Sequence, residues 1–285
     1  MGAEVTCAVS GGPDSLALLV LAVAAGCRAT AVHVDHGQRP GSAAEADLVA
    51  EVAGRLGAGF RAERVDVAPG PNLEARLRDA RRAVLPPDAL TGHTADDRAE
   101  TVLLHLLRGA GPTGAIGIGR SPRRPILDLR RADTIALCAA LGLAPVDDPS
   151  NRDPRFRRNR VRHELLPLLA DIGARDPVPV LVRQADLFAS VDAALAAQAA
   201  LLDPASAASL AAAEPAVAGT AVRAWLRSAG VGGGYVVDGD AVSRVLAVAR
   251  GETIATEVAG GWRVARSKGR LAVSPPGAWQ DAPHG

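Results

Sequence analysis

Hydrophobic and polar residues alternate along the first half of the chain in blocks that predict strands and helices in turn. Short apolar blocks predict strands at Val5–Val9, Thr30–Val34, Phe60–Val67 and Ala89–Gly92. Longer amphipathic blocks predict helices at Leu16–Ala25, Ala43–Leu56, Leu73–Leu85 and Thr94–Arg108. Strands that alternate with helices at these lengths imply βαβ units, so we expect an α/β fold with a doubly wound parallel sheet.

After Pro125 the pattern becomes mostly helical. It predicts helices at Ala132–Leu141, Arg160–Leu169, Val180–Leu202, Leu210–Ala229 and Asp240–Arg250, and closing strands at Thr253–Val258 and Trp262–Val273. Two prolines within Asp176–Pro179 indicate a boundary between domains. We therefore predict an α/β domain over residues 1–175 and a smaller, mostly helical domain over residues 176–285.

Composition and charge restrict the partners of the protein without naming one. The formal net charge is +1, so the chain as a whole carries no signal for a nucleic acid. Six arginines nevertheless lie within residues 152–162, and such a cluster either binds phosphates or forms a solvated face. Three scattered cysteines fit a reducing compartment, and no apolar stretch reaches the roughly 18 residues of a membrane span, so we expect a cytoplasmic protein.

The loop Ser10–Ser15, with the sequence SGGPDS, stands between the first predicted strand and helix. Ligands of open parallel sheets bind at the carboxyl ends of strands, and the N-terminus of a helix attracts phosphate. Gly11 and Gly12 permit a tight turn around such a ligand. Asp14 would repel a phosphate unless magnesium lay between them, or else Asp14 merely caps the helix.

Acidic residues open the helix predicted at Thr94–Arg108. Thr94 is a natural N-cap, and the helix dipole accounts for an acid such as Asp97 in the first turn. The helix dipole explains Glu100 less well than it explains Asp97. Asp96, Asp97 and Glu100 share one rim of the helix, so the sequence predicts a cation beside them, either magnesium or a substrate amine.

These stretches resemble a known enzyme family over about residues 5–170. SGGPDS resembles the SGGxDS signature of the PP-loop superfamily, whose members split ATP into AMP and pyrophosphate. HVDHGQR from His33, NLEARLRDARR from Asn72 and GHTADDRAETVLLHLLRGAGPTGAIGI from Gly92 resemble stretches of the tRNA(Ile)-lysidine synthetases. The segment Arg124–Leu169 resembles their RPLL…DxSN…RNxxRxxLLPxL pattern. Gln38, Leu77 and Arg82 are departures from these patterns.

The resemblance implies a reaction in two steps. The wobble cytidine of tRNA(Ile) with a CAU anticodon is adenylated by ATP with the help of Mg²⁺, and free L-lysine then displaces AMP to give lysidine. Alternatives are a tRNA thiolase of the same superfamily, or a non-catalytic protein that binds adenine nucleotides and tRNA. The scattered cysteines disfavour the thiolase, because thiolases use cysteines to carry sulfur.

The resemblance, together with the acids described above, predicts the residues of the site. ATP binding is predicted for Ser10, Gly11, Gly12, Pro13, Asp14, Ser15, His33, His36 and Gly92. Catalysis is predicted for Asp14, Asp96, Asp97 and Arg108, magnesium binding for Asp14 and Asp96, and lysine binding for Asp97 and Glu100. tRNA binding is predicted for Arg78, Arg157, Arg158, Asn159 and Arg162, and for the domain over residues 176–285.

Overall fold

The computed structural model describes residues 2–35, 42–68, 70, 73–233 and 237–278, with only the backbone described at residues 42, 43, 73–75 and 78. Four strands form a parallel sheet: β1 (Glu4–Ala8), β2 (Arg28–Asp35), β3 (Gly59–Arg64) and β4 (Leu90–Thr91). Their order is β3-β2-β1-β4, with β1 at the centre paired with β2 and β4. The predicted α/β fold with a parallel sheet is confirmed.

Helices connect these strands in the predicted order: α1 (Pro13–Ala24), α2 (Ser42–Arg55), α3 (Leu73–Val84) and α4 (Ala95–Leu106). Helix α1 begins three residues before the predicted Leu16, because Gly12 is its N-cap and Pro13 takes the first helical position, where the missing N–H costs nothing. Strand β3 ends earlier than predicted, and β4 contains only two paired residues.

One hydrophobic core lies between the sheet and the helices beside it. Cys7, Leu16, Leu19 and Ala31 are fully buried in it, and Val49 of α2 joins them. Because the strands are parallel, the carboxyl ends of β1, β2 and β4 lie at one edge of the sheet. That edge carries most of the residues predicted to bind ATP and lysine.

The chain after β4 adds further helices to the same unit: α5 (Pro112–Ala115), α6 (Arg131–Ala140), α7 (Arg157–Arg160) and α8 (Leu166–Gly173). A π-helical turn at Val161–Leu165 joins α7 to α8, so the backbone is helical from Arg157 onward. A second core packs Ala99 and Leu103 of α4 against Val161 and Leu166. The acidic helix and the arginine-rich segment are therefore neighbours.

The long helix α9 (Pro177–Ala199) begins at the prolines where the sequence predicted a boundary. Two compact units divide within α9, between Asp186 and Leu187, eleven residues after the predicted limit at 175/176. The first unit comprises Met1–Ala110 and Gly114–Asp186, and the second comprises Gly111–Thr113 and Leu187–Gly285.

The second unit combines helices with a small antiparallel sheet. Its elements after α9 are α10 (Ala207–Ala212), α11 (Pro215–Ser228), α12 (Gly239–Arg250), β5 (Ala255–Val258), β6 (Trp262–Ser267) and β7 (Arg270–Ser274). The strand predicted at Trp262–Val273 is a hairpin that turns at Lys268 and Gly269, both with positive φ. Within the described residues, none of the helices has the length and apolar character needed to cross a membrane.

Candidate functional site

The loop between β1 and α1 is closed by two serine residues. Ser15 Oγ accepts a hydrogen bond from Ser10 N at 3.1 Å and donates one to Gly12 O at 2.9 Å. Gly11 has a φ of 86°, and a Cβ there would lie 2.9 Å from Val146 Cγ2. The loop is therefore a narrow backbone cradle at the N-terminus of α1, an arrangement that attracts phosphate groups.

Gly92, which follows β4, lies directly against the start of α1. A Cβ on Gly92 would lie 2.7 Å from Asp14 O and 3.0 Å from Ser15 N. These distances are too short for a side chain, so glycine is what allows the end of β4 to approach the loop. Because α4 begins at Ala95, this close approach also brings the acidic helix next to the loop.

Asp14 lies in the first turn of α1, and its carboxylate faces α6. It accepts hydrogen bonds from Thr134 Oγ1 and, at 3.4 Å, from Arg131 Nε. Burial raises the pKa of Asp14 above its usual value, because the contacts with Thr134 and Arg131 only partly offset the desolvation. Gly12 is the N-cap of α1, so capping does not explain this acid.

Asp97, in the first turn of α4, uses its two carboxylate oxygens differently. Oδ2 accepts hydrogen bonds from Thr94 N at 2.8 Å and Thr94 Oγ1 at 3.1 Å, and Thr94 is the N-cap, as predicted. Oδ1 accepts hydrogen bonds from Arg131 Nη2 at 2.8 Å and Arg158 Nη2 at 2.9 Å. Burial alone would raise the pKa of Asp97, but these arginines and Thr94 N lower it, so Asp97 is ionised at neutral pH.

Glu100 lies one turn further along α4, and its side chain is 0% exposed. Its Oε1 accepts hydrogen bonds from Arg131 Nη1 at 2.9 Å and Arg162 Nε at 2.7 Å. Its Oε2 accepts hydrogen bonds from Arg158 Nε at 2.7 Å and Arg162 Nη2 at 3.1 Å. The sequence predicted a cation beside these acids, and in the structure arginines of the same chain supply that charge.

Asp96 faces a different set of donors. Arg130 donates to it through Nε at 3.0 Å and Nη2 at 3.1 Å, and Arg131 N donates at 2.8 Å. Burial alone would raise the pKa of Asp96, but these hydrogen bonds hold it below its usual value. Asp96 thus anchors the start of α6. The other three acids, Asp14, Asp97 and Glu100, all contact the side chain of Arg131.

His93 was not singled out from the sequence, yet it lies between Gly92 and the N-cap Thr94 in this cluster. Its Nδ1 is 2.9 Å from Thr91 Oγ1. Burial lowers the pKa of His93 below its usual value, although Asp97 opposes this shift, so the ring is neutral at neutral pH. The sequence could have indicated His93 through its position, because a residue between the end of a strand and the N-cap of the next helix lies at the edge of the sheet where ligands bind.

Two cavities adjoin the loop. The first has a volume of about 270 Å³ and is lined by four valines, Val9, Val32, Val34 and Val146, and by polar residues that include His33, Glu45 and Asp148. His33 is buried, and its Nδ1 donates to Val9 O at 3.0 Å. The second has a volume of about 300 Å³, and its polar lining includes Ser10, Asp14, Ser15, His93, Asp97, Arg131 and Arg162. A space bounded by four valines and a space with more charged side chains therefore meet at the loop.

The arginines of residues 152–162 do not form one solvated face. Arg157 is exposed. The side chains of Arg158 and Arg162 are 36% and 21% exposed, and both bind the acids of α4. Asn159 is buried, and its Nδ2 donates to two backbone carbonyl groups of the preceding turn at 2.7 and 2.9 Å. Two of the four residues predicted here to bind tRNA thus pair with residues predicted to bind lysine.

The remaining predicted residues are not brought into this cluster. Arg108 is exposed and follows the far end of α4, whose last residue, Leu106, lies about 14 Å along the helix axis from Asp97. His36 lies outside the described residues. Arg78 belongs to α3, but its side chain is not described.

Comparison with known proteins connects this geometry to a family. Residues 2–169 match the PP-loop domain family. The tRNA(Ile)-lysidine synthase of Salinispora arenicola is 41% identical over an alignment 300 residues long, which covers 94% of this chain and 90% of that protein. The chain belongs to the tRNA(Ile)-lysidine synthase family. The enzyme of that name from Corynebacterium glutamicum is 43% identical over an alignment 180 residues long, which covers 61% of this chain and 57% of that protein.

Membership of the tRNA(Ile)-lysidine synthase family confirms the resemblance predicted from the sequence and identifies ATP as the nucleotide of the PP-loop domain. A solved structure of a U34-tRNA thiolase from Methanococcus maripaludis shares the fold, with a TM-score of 0.52 at 17% identity over 66% of this chain and 73% of that one. The likeness to the thiolase concerns the fold alone. Cys7 and Cys138 are buried, and no cysteine among the described residues forms a disulfide.

Proposed function

We propose that this chain ligates L-lysine to C2 of the wobble cytidine of tRNA(Ile) with a CAU anticodon, converting ATP to AMP and pyrophosphate. The observation that carries the proposal is the charged cavity, which Ser10, Asp14 and Asp97 line together. A loop that binds phosphate beside an ionised carboxylate suits a reaction that cleaves a nucleotide between its phosphates and then binds a cationic amine. Membership of the tRNA(Ile)-lysidine synthase family supports the same reaction.

In the first step, O2 of cytidine attacks the α-phosphorus of ATP. The O2–P bond forms while the bond between the α-phosphorus and the bridging oxygen breaks, and pyrophosphate leaves with the electron pair. Backbone N–H groups of Gly11, Gly12 and Asp14 at the N-terminus of α1 would hold the phosphates. The valines of the first cavity, beside His33, would receive the adenine.

Magnesium fits this cavity through Asp14 rather than through a preformed cage. No three acidic, histidine or cysteine side chains in the described parts of the chain are grouped so that they could hold a metal ion. Asp96, the second ligand predicted from the sequence, is held by Arg130. Mg²⁺ often binds one or two carboxylates plus substrate phosphates, so Asp14 together with ATP would suffice. When bound, the ion would disperse the charge that develops at phosphorus.

In the second step, we propose that Asp97 and Glu100 bind the ammonium group of lysine. Because arginines already occupy both carboxylates, the ammonium must replace one of them. Arg158 is the most exposed of the three arginines on Glu100, so it is the one that we expect to leave. A carboxylate then accepts a proton from the ammonium. The freed amine attacks C2, the C2–O2 bond breaks, and AMP departs with the oxygen.

For tRNA binding we propose the predicted set: Arg78, Arg157, Arg158, Asn159 and Arg162, aided by the domain over residues 176–285. Arg157 is exposed and available to a phosphate group. Asn159 would act by shaping the segment, because its amide is bound to backbone carbonyl groups. Arg108 would orient a phosphate or the base. The wobble base must leave its stack to reach the site. We place the reaction in the cytoplasm, where tRNA, ATP and free lysine occur together.

The test of this proposal is AMP formation by the full chain in four mixtures: complete, without lysine, without tRNA, and with a tRNA lacking the CAU anticodon. We expect AMP to accumulate only in the complete mixture, and tRNA-dependent exchange of pyrophosphate into ATP without lysine. AMP formation that needs a sulfur donor instead of lysine would indicate a thiolase. Binding of ATP and tRNA without AMP formation would indicate a non-catalytic protein.

A further inference from the structure

The two cavities at the loop share a rim. Four residues line both of them: Ser10 and Gly12 of the loop, Arg81 of α3, and Asn151. The valines of the first cavity suit a base, and the charged groups of the second suit polyphosphate and amine. If the nucleoside of a nucleotide lies in the first cavity and its outer phosphates lie in the second, the part of the molecule that joins them lies at the rim. The group at that point of ATP is the α-phosphate.

Arg81 is the cation at this rim. It lies in the last turn of α3, and burial lowers the pKa of its guanidinium, with no carboxylate to oppose the effect. In the described part of the chain, no hydrogen bond or ion pair holds the Arg81 guanidinium. Arg81 lines the second cavity together with His93, and burial first and then nearby charges, that of Arg81 among them, lower the pKa of His93.

The other arginines that line these cavities are already neutralised. Arg131 is bound by Asp14, Asp97 and Glu100, and Arg162 is bound by Glu100. A largely buried guanidinium without a counter-ion is unfavourable unless an anion arrives. Arg81 is thus the lining arginine whose charge is free for a ligand.

We propose that Arg81 binds the α-phosphate of ATP and stabilises the negative charge on its oxygens while cytidine O2 displaces pyrophosphate. The inference rests on the proposed function for the identity of the attacking group, but the phosphate contact itself concerns nucleotide binding alone. Arg81 is then a catalytic residue of the first step with no part in lysine binding.

The binding test compares adenosine with AMP, which differ only by the α-phosphate, by calorimetry on the full chain without tRNA. We expect R81M to weaken AMP binding about 10-fold or more, the size of a charge-assisted hydrogen bond, while adenosine binding stays within twofold of wild type. R82M, at the exposed neighbouring position, should bind both as wild type does. Equal loss of adenosine and AMP binding in R81M, or no loss of either, would overturn the contact.

The kinetic test measures tRNA-dependent exchange of pyrophosphate into ATP. We expect R81M to lower the maximal exchange rate by about 100-fold, as loss of an oxyanion donor does in other enzymes, and R81K to recover part of it. Guanidinium ion added to an R81A variant should restore exchange more than it does in wild type, a result that a purely structural role would not produce. An R81M enzyme that folds, as its melting curve would show, and exchanges at the wild-type rate contradicts the proposal.

These outcomes are separable from failure of the proposed function. If wild-type enzyme makes no lysidine but R81M still loses AMP affinity selectively, the phosphate contact stands and the reaction assigned to the protein is wrong. If wild-type enzyme makes lysidine and R81M is unaffected in both tests, the reaction stands and the role of Arg81 is wrong.

Discussion

Arg162 Nε lies 2.7 Å from Oε1 of Glu100, a carboxylate with no exposed surface, although the two residues are 62 positions apart in the chain. Burial of an unpaired carboxylate is very unfavourable, so this contact and those from Arg131 and Arg158 offset the cost of burying the Glu100 carboxylate. The acidic helix and the arginine-rich segment consequently form one charged network. A substitution in the acidic helix should therefore affect the arginine-rich segment, and a substitution in that segment should affect the acidic helix.

Replacement of Glu100 by Gln tests this network and the lysine site together. The variant keeps the shape of the side chain but leaves three guanidinium groups with one fewer negative charge. We expect Tm to fall by roughly 6–20 °C, from a loss of about 3–5 kcal/mol at a buried ion pair. Below that Tm, the Michaelis constant for lysine should rise at least about 10-fold, while that for ATP changes little and pyrophosphate exchange persists.

The matched control is Glu164→Gln, because Glu164 is exposed and pairs with Arg160 in the same segment. An exposed pair contributes about 0–1 kcal/mol, so its Tm should stay close to that of wild type. Loss of pyrophosphate exchange together with lysine transfer in folded E100Q would place Glu100 in the adenylation site and refute its proposed role in lysine binding.

Asp14→Asn should separate folding from chemistry. The pKa of Asp14 is raised in the folded state, so the wild-type protein is fully stabilised when Asp14 is protonated and loses stability as pH rises through that raised pKa. In EDTA at pH 7, D14N should therefore melt at or above the wild-type temperature. The difference should shrink as pH falls toward the unfolded value of about 3.9. Pyrophosphate release should be abolished.

Thermal melting at a series of pH values, with a parallel assay for pyrophosphate, checks this expectation. A lower Tm for D14N at neutral pH would show that ionised Asp14 stabilises the fold. Normal pyrophosphate release by D14N would remove Asp14 from the catalytic machinery.

Arg157 and Arg158 are neighbours with different surroundings, and they offer a matched pair for tRNA binding. Removal of an arginine that binds one phosphate group should reduce the slope of log K against log salt by roughly 0.7–0.9. We expect Arg157→Ala and Arg158→Ala each to weaken tRNA binding and flatten the slope, and the double variant to do both more strongly. Of the two single variants, only R158A should also change the Michaelis constant for lysine, because Arg158 contacts Asp97 and Glu100 and Arg157 does not. If the slope of log K against log salt is unchanged in the double variant, these arginines do not bind tRNA phosphates and are only a solvated face of the protein.

Gly92→Ala should distort the Ser10–Ser15 loop, because the added Cβ collides with the backbone of Asp14. Its Cβ would lie 2.7 Å from Asp14 O, and such overpacking costs about 1–3 kcal/mol, or about 2–12 °C in Tm. ATP binding should weaken as the start of α1 is pushed away. Gly119→Ala is the control, because nothing lies within 4 Å of a Cβ there. Equal melting temperatures and equal ATP affinity for the two variants would show that β4 does not need to approach the loop this closely.

The sequence pattern predicted the parallel sheet because short strands alternate with helices, and because the central strand, which ends in the buried Cys7 and Ala8, lies in the apolar run Val5–Val9. It predicted the start of α1 at Leu16 because the apolar run begins there. The observed start at Pro13 depends on Gly12 adopting an extended conformation as the N-cap, which hydrophobicity does not report.

The loop and the acids could be predicted as neighbours because both follow strands of one parallel sheet. The arginines on Glu100 could not, since their contact depends on how the helix from Arg157 packs against α4 and on the π-helical turn at Val161–Leu165. No local pattern encodes a pairing between residues so distant in sequence. From the sequence we therefore expected magnesium or an amine beside these acids. In the structure Arg131, Arg158 and Arg162 already supply the positive charge.

The most direct test of the central claim is the transfer of lysine itself. Lysine labelled with ¹⁵N at the ε-position is incubated with the full chain, ATP, Mg²⁺ and tRNA(Ile) with a CAU anticodon, and the tRNA is digested and analysed by mass spectrometry. We predict that the label appears in one modified nucleoside, lysidine, at the wobble position, with one AMP formed for each lysidine. Unmodified cytidine at that position, in a reaction where the protein binds both ATP and the tRNA, would contradict it.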